Sequence, residues 1–401
     1  MTTKRKQIGT MLSMMMSILV LTLGMLSCKG DSVESLAAVQ DMNDKWGFID
    51  KTGKLAIPCT WEAVDDFAEG LACVMDSTFK WGFIDKTGNV VIPCTWELAE
   101  RFRDGLEPVK NENDKYGFID KTGKLVIPCT LDNWWEYTEG FVCRFSEGLL
   151  VVRDDNRKYG FIDKTGKQVI PCEWESAEAF SDGMSLVQNE KGRFGFIDKT
   201  GKLVIPCTWQ WANDFNDGMA AVQDDDDRSG FIDKTGKLVV PCTWQWTWKF
   251  SEGLAFVQND DDKFGFIDKT GKLVIPCTWN AIEEFSDGMT RVWNDEWKYG
   301  YIDKTGKEII PCKWEEWDNE WYNEFKEDLL VVYNDSQKYG FINKTGKEVI
   351  PCKWAYAYNF SSGMALVMDE NEKYGYVDKT GRLVIPCTWK FARDFSDDVN
   401  L

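Results

Sequence analysis

From Lys45 to Asp76 short apolar runs alternate with polar turns, and the apolar runs have the composition of strands. Trp46 to Asp50 and Leu55 to Ile57 are aromatic, aliphatic and β-branched, and they flank a Lys-Thr-Gly triplet, which predicts a hairpin. A third such run, Leu71 to Val74, follows Ala-Glu-Gly, a loop that ends in glycine. The cycle then returns. Its Lys-Thr-Gly triplets end at Gly53, Gly88, Gly123, Gly166, Gly201, Gly236, Gly271, Gly306, Gly346 and Gly381, with seven intervals of 35 residues and two longer ones of 43 and 40. A fixed period of roughly 20 to 50 residues marks a repeat architecture, in which length counts units and not globules. The pattern predicts an all-β chain: a tandem array of ten units of about 35 residues, each with three antiparallel strands.

Each hairpin turn reads Asp-Lys-Thr-Gly, the residues that surround the phosphorylated aspartate of cation-pumping P-type ATPases. A phosphoryl-transfer site is needed once per active centre, whereas a structural device is needed once per unit, and here the tetrad recurs with the period. The ninth copy carries Asn343, which cannot form an acyl phosphate, and Lys, Asn or Arg follows the glycine where the ATPases have Thr. The predicted role is a turn: Asp50 accepts a hydrogen bond from the backbone two residues on, and Gly53 takes the left-handed conformation that closes a bulged hairpin. No catalytic residue is assigned.

The phase of the unit comes from the two ends of the chain. Ser35 to Asp41 matches the strand that precedes each later hairpin, and the C-terminal FSDDVNL stops where that strand would begin again, which gives ten whole units. The third and eighth units have long connectors, and both continue into an LLVV strand, Leu149 to Val152 and Leu329 to Val332. A five-unit block has therefore been duplicated, with units one to five in residues 35–220 and six to ten in 221–401. Propellers usually have about four to eight blades of four strands, so the expectation is an open, curved or superhelical array, with two five-unit propeller-like rings as the alternative.

The segments KWGFIDKTGKLAIPC and KYGFIDKTGKLVIPC and their eight relatives resemble the WG (KWG) repeat, a β-type repeat found in tandem in bacterial proteins. Trp-Gly itself is kept only at Trp46 and Trp81; later units have Tyr, Phe or, at Ser229, a small polar residue. The resemblance implies a β-repeat architecture and a binding or scaffolding role, without an established activity.

The N-terminus changes the cellular picture. Lys4, Arg5 and Lys6 precede an uncharged run from Met11, as in an export signal. GMLSC, ending at Cys28, resembles the lipobox of bacterial lipoproteins, with Met25 where Leu is usual. Residues 1–27 then form the signal peptide, Cys28 is the lipidated residue and 28–34 are a short tether; an uncleaved membrane anchor is the alternative. The implied partner is a bacterial membrane, and the implied location is the cell envelope, periplasmic or surface-facing. Loss of three positive charges with the signal takes the net charge from −19 to −22, and no basic cluster offsets it, which argues against nucleic-acid binding.

The chain has no histidine, which excludes Ser-His, Cys-His and His-metal sites. Ten of the 13 cysteines, from Cys59 to Cys387, are one position repeated, directly after proline. They are expected as free thiols in a packing column, because a disulfide needs Cα atoms within about 7 Å. Tryptophan stands two residues after the cysteine in every unit but the third, where Leu131 replaces it, again a packing pattern. The variable tryptophans Trp211, Trp246, Trp248, Trp293, Trp297, Trp317 and Trp321 are the candidate ligand-binding aromatics, with Trp134 and Trp135 in the third connector. The acidic loops Gln223 to Ser229 and Gln258 to Phe264 lack the alternating ligands and glycine of a calcium loop, so no metal or cofactor is expected. The functional expectation is a non-catalytic exported lipoprotein that binds a protein or glycan, with a structural scaffold as the alternative. Exposure of Trp246, Trp248, Trp317 and Trp321 favours binding, and burial favours the scaffold.

Overall fold

A computed structural model describes residues 35–131, 144–315, 324–334 and 336–395. These residues are all-β and contain no helix. Leu36–Leu401 forms one compact unit of ten small antiparallel sheets. The second sheet shows the pattern. A two-residue strand, Ala63–Val64, pairs with Leu71–Met75, which pairs with Trp81–Asp85, which pairs with Val90–Trp96. The last of these runs within one residue into Leu98–Ala99, the first strand of the next sheet. Eight sheets have four strands, and the two that follow the long connectors have three among the described residues.

Two expectations are corrected here. Eight of the ten sheets are blades of four strands, not three, because a segment read as connecting loop supplies a short strand to the next blade. A run of two residues carries no periodicity that a sequence can reveal. The array is also neither open nor split into two rings of five. Ala37–Gln40, the first described strand, pairs on its free edge with Phe391–Ala392 from the last unit, Val39 opposite Ala392 and Gln40 opposite Phe391. The backbone N–H groups of Lys390 and Arg393 donate to the carbonyls of Gln40 and Ala38, at 3.1 and 2.9 Å. Among the described residues eight units give a short strand to the following blade, the tenth giving its own to the first, so the ten blades close into one ring.

The outer strand of every blade carries proline at its fourth position and is exposed or half-buried apart from one buried aliphatic residue at its third, such as Ile57, as suits an edge that must not recruit another strand. Most core residues sit on the second and third strands, joined by one aliphatic residue of the outer strand. A phenylalanine or tyrosine of the third strand meets the phenylalanine of the connector to the next blade, as Phe48 meets Phe67 at 4.9 Å, Phe196 meets Phe215 at 4.7 Å and Tyr376 meets Phe395 at 4.8 Å between ring centroids.

The glycine of Trp-Gly has a specific reason. Between the pairs Trp46 with Trp61 and Phe48 with Ile57 the outer strand bulges, and its extra residues fold over Gly47. A Cβ at Gly47 would lie 2.5 Å from Ile57 O and 2.7 Å from Cys59 N. The turn glycine is constrained twice: Gly53 has φ 83°, and an added Cβ would lie 3.2 Å from Cγ2 of Ile385 in the tenth blade.

Candidate functional site

The ring has two unlike faces. Strands joined by hairpins turn at alternate ends, so the Lys-Thr-Gly turns share one face with the glycine turns such as Glu69-Gly70, and the turns between second and third strands lie on the other. On the first face the lysine of one blade reaches back to the acid of the blade before: Lys121 to Glu69 at 2.8 Å, Lys199 to Glu147 at 2.9 Å, Lys304 to Glu252 at 3.0 Å and Lys379 to Glu327 at 3.0 Å. The same carboxylates accept from the glycine N–H of the next blade, as Glu69 does from Gly105 at 3.1 Å. The turn itself has the geometry of a cap. Asp50 Oδ1 accepts from Thr52 N at 2.9 Å, Thr52 Oγ1 at 2.6 Å and Lys54 N at 3.1 Å. Asn343 makes the same three contacts at 3.0, 2.7 and 3.1 Å.

The inner strand and the residues just after it line the interior of the ring. A cavity of about 790 Å³ opens there across the seventh to tenth blades. Trp246, Trp248 and Phe256 form its aromatic wall, Glu283, Glu284 and Arg291 the next, and Glu324, Lys326 and Asn359 the far side. Trp246 is 38% exposed, stands 5.4 Å from Phe256 and 5.7 Å from Trp248, and Trp248 in turn stacks on Trp211 at 6.2 Å. Arg291 replaces the small or apolar residue that most units have in the second strand. Only 5% exposed, it pairs with Glu283 and lies over Trp293 at 4.3 Å and Tyr299 at 5.3 Å. Lys326 meets Glu324 at 2.7 Å and Lys249 meets Glu284 at 3.4 Å, so the cavity alternates charge around an aromatic floor.

The predicted aromatics thus divide. Trp246 and Trp248 line the cavity, and half-buried Trp211 supports Trp248 from the blade before. Trp293 is 5% exposed and packs beneath Arg291. Trp297, 62% exposed with φ 57°, sits at a turn tip on the opposite face. Trp134, Trp135, Trp317, Trp321, Cys28 and Cys143 lie outside the described residues. The ten repeat cysteines are free and half-buried, each on the bulge of an outer strand, with Cys94 Sγ 3.8 Å from Val74 O. Burial pushes the Cys59 and Cys94 thiols up to about 11, so they are poor nucleophiles at neutral pH.

The profile of the WG containing repeat matches ten successive segments, from 46–76 to 374–399. The chain belongs to the WG-repeat family. No curated protein sequence matches it. Among solved structures it is similar to the computationally designed Ika8 protein, with 12% identity over 69% of this chain and 94% of that one and a TM-score of 0.36. It is also similar to BamB from Moraxella catarrhalis, with 11% identity over 67% of this chain and 92% of that one and a TM-score of 0.32.

Within this WG-repeat ring, sequence reasoning missed the residues that matter most to the interior. Each unit keeps one phenylalanine after the inner strand, and the two positions before it vary from unit to unit; that contrast between a fixed residue and its free neighbours was the available signal. Those positions carry Glu178, Asp214 and Asp394. Burial raises all three carboxyls: Glu178 to about 7 with help from Asp214, Asp214 to about 6 against the pull of Lys249, and Asp394 to about 7 with help from Asp66. An aromatic chain across the closing seam was also missed. Tyr339, Tyr356, Tyr358, Tyr374, Phe391 and Trp46 succeed one another with centroids 4.7 to 6.5 Å apart. A second, smaller cavity of about 130 Å³ lies between the third and fourth blades, lined by Arg101, Arg103, Arg144 and the fully buried Glu107. Among the described residues no group of three or more Cys, Asp or Glu is placed to hold a metal ion.

Proposed function

We propose that the protein is a non-catalytic binding ring of the bacterial cell envelope, tethered through a lipidated Cys28, which takes a glycan at the cavity of the seventh to tenth blades. The observation that carries this reading is Trp246, a large aromatic left 38% exposed on a cavity wall whose opposite side holds Glu324, Lys326 and Asn359. A sugar ring offers a face of C–H groups for the indole and a rim of hydroxyls for carboxylate, ammonium and amide partners. The test is fluorescence titration of the full chain with a panel of soluble cell-envelope oligosaccharides. Trp246→Ala is expected to weaken binding about tenfold or more, as loss of an aromatic anchor does. Trp297→Ala, on the opposite face, is expected to leave it unchanged. Equal affinity for all three proteins would overturn the assignment of the cavity.

The scaffold reading has its own support. Trp293 is 5% exposed and Trp211 stacks on Trp248, so part of the variable tryptophan set stiffens the ring. If no glycan or protein ligand perturbs the fluorescence of Trp246, a spacer held at the membrane is the better description.

A further inference from the structure

We infer that the Lys-Thr-Gly face is the membrane-facing surface of the ring, docked on a phospholipid bilayer through its repeated leucines and lysines. The inference rests on the lipid tether proposed above and adds which face meets the bilayer. The first support is where the chain enters. Ala37 pairs with Ile49, the residue directly before Asp50, so the first strand begins at the Lys-Thr-Gly face and runs away from it. The steps from Cys28 to Ser35 reach at most about 25 Å when fully extended, which holds this face near the lipid and leaves the other face a strand length farther off.

The second support is exposed apolar surface repeated at one position. Leu55, Leu125, Leu203, Leu238, Leu273 and Leu383, each the first residue of an outer strand, are 41 to 43% exposed. A single exposed leucine is ordinary, but six of them, with Val90 at the same position of the second blade, along the rim of one face make a surface for an apolar partner, which Gln168, Glu308 and Glu348 interrupt in the fourth, eighth and ninth blades. Each of the first five leucines is preceded by an exposed lysine, as Lys54 precedes Leu55 and Lys237 precedes Leu238. Their stems can lie along the acyl boundary while the ammonium groups stay among phosphates.

The third support is the distribution of charge. The protein carries −19, yet eight of the ten turns on this face set one aspartate against two cations, and the ninth has Asn343 with Lys344 and Lys347. The acidic runs Asp224 to Asp227 and Asp260 to Asp262 lie in turns of the opposite face. The glycine turns of the same face carry acids that pair with the first of these lysines, as Glu69 does with Lys121 and Glu252 with Lys304, so the face is balanced and not cationic, while the acidic runs make the opposite face the one that an anionic bilayer repels. This leaves the acidic face clear for encounter with other molecules.

The test uses the full chain reconstituted in vesicles of phosphatidylethanolamine and phosphatidylglycerol, labelled with a sulfonated amine-reactive ester and read by peptide mass spectrometry. Lys202, Lys237 and Lys272 are expected to label several-fold less in vesicles than in detergent, with Lys191 and Lys373 of the opposite face unchanged. Leu203→Glu, Leu238→Glu and Leu273→Glu combined, all at exposed positions, are expected to restore labelling of the three lysines. Equal labelling of both faces, protection confined to the opposite face, or protection that the triple variant leaves intact would each overturn the proposal; the last would point to contact with a second ring. Metabolic labelling with palmitate separates this from the tether. A lipidated Cys28 with no lysine protection refutes the docking face alone, whereas protection without lipidation refutes the tether and leaves the docking face standing.

Discussion

Closure of the ring through the last unit can be broken where it is thinnest. Phe395 is 1% exposed, its ring stands 4.8 Å from that of Tyr376, and it belongs to the cluster that joins Ala37, Val39 and Ile49 of the first blade to Met364, Leu366 and Ile385 of the tenth. Truncating a buried phenylalanine to alanine costs about 3 to 5 kcal/mol. Deleting 390–401 also removes the two seam hydrogen bonds, about 1 kcal/mol each, and the pair Arg393 with Asp65 at 2.8 Å, which is partly exposed and contributes little. Blades interact chiefly with their neighbours, so the loss should stay local and not melt the ring. Hydrogen exchange read by mass spectrometry is the assay. In Phe395→Ala, amides of Ala37–Gln40 and Trp46–Ile49 should lose protection by about a hundredfold to a few thousandfold, at tenfold per 1.4 kcal/mol. Those of Phe194–Asp198, in the fifth blade, should keep theirs. Unchanged protection at Ala37–Gln40 in both variants, or equal loss in every blade, would refute closure through the C-terminal strand.

The bulge over Gly47 predicts that Gly47→Ala destabilises its blade by at least about 1 to 3 kcal/mol, since backbone oxygen cannot step aside as a side chain can, while Asp50→Asn stays nearly neutral because Asn343 already makes the same contacts. Thermal melts that rank the two in the opposite order would remove both explanations. Stability should peak in mild acid. The turn carboxyls such as Asp163 and Asp198, held low mainly by the hydroxyls of Thr165 and Thr200, contribute stability above the ordinary carboxylate pKa that is lost as pH falls through their lower folded values. Glu178 and Asp394 do the reverse: raised to about 7, they are neutral in the ring while charged in the unfolded chain, so their contribution fades as pH rises through roughly 4 to 7. The urea midpoint is therefore expected to be higher at about pH 5 than at about pH 8, with Glu178→Gln and Asp394→Asn flattening the difference; a higher midpoint in base would contradict it. Folded protein should alkylate slowly at Cys59 and its nine equivalents near neutral pH and rapidly once unfolded, because burial holds the Cys59 thiol up at about 11; equal rates in both states would show that the thiols are not shielded.

What the sequence by itself determined is whatever one unit can specify with its own residues. The period, the hairpin at Asp50 to Gly53 and the outer strand with Pro58 and Cys59 are local, because a turn type and a strand pattern are fixed by residues a few positions apart. The candidate cavity was half legible: Trp246 and Trp248 stood out by size, but their partners Glu324, Lys326 and Asn359 come from other blades and look unremarkable in their own units. Whether ten units end as an open arc or a ring depends on the angle accumulated between neighbours, and no residue encodes that angle alone. Only the tertiary structure set Phe391 and Ala392 beside Gln40 and Val39, buried Phe395 between the first blade and the tenth, and buried Asp394 near enough to Asp66 for its affinity for protons to rise. These are contacts between the two ends of a chain of 401 residues, and local pattern carries no information about them.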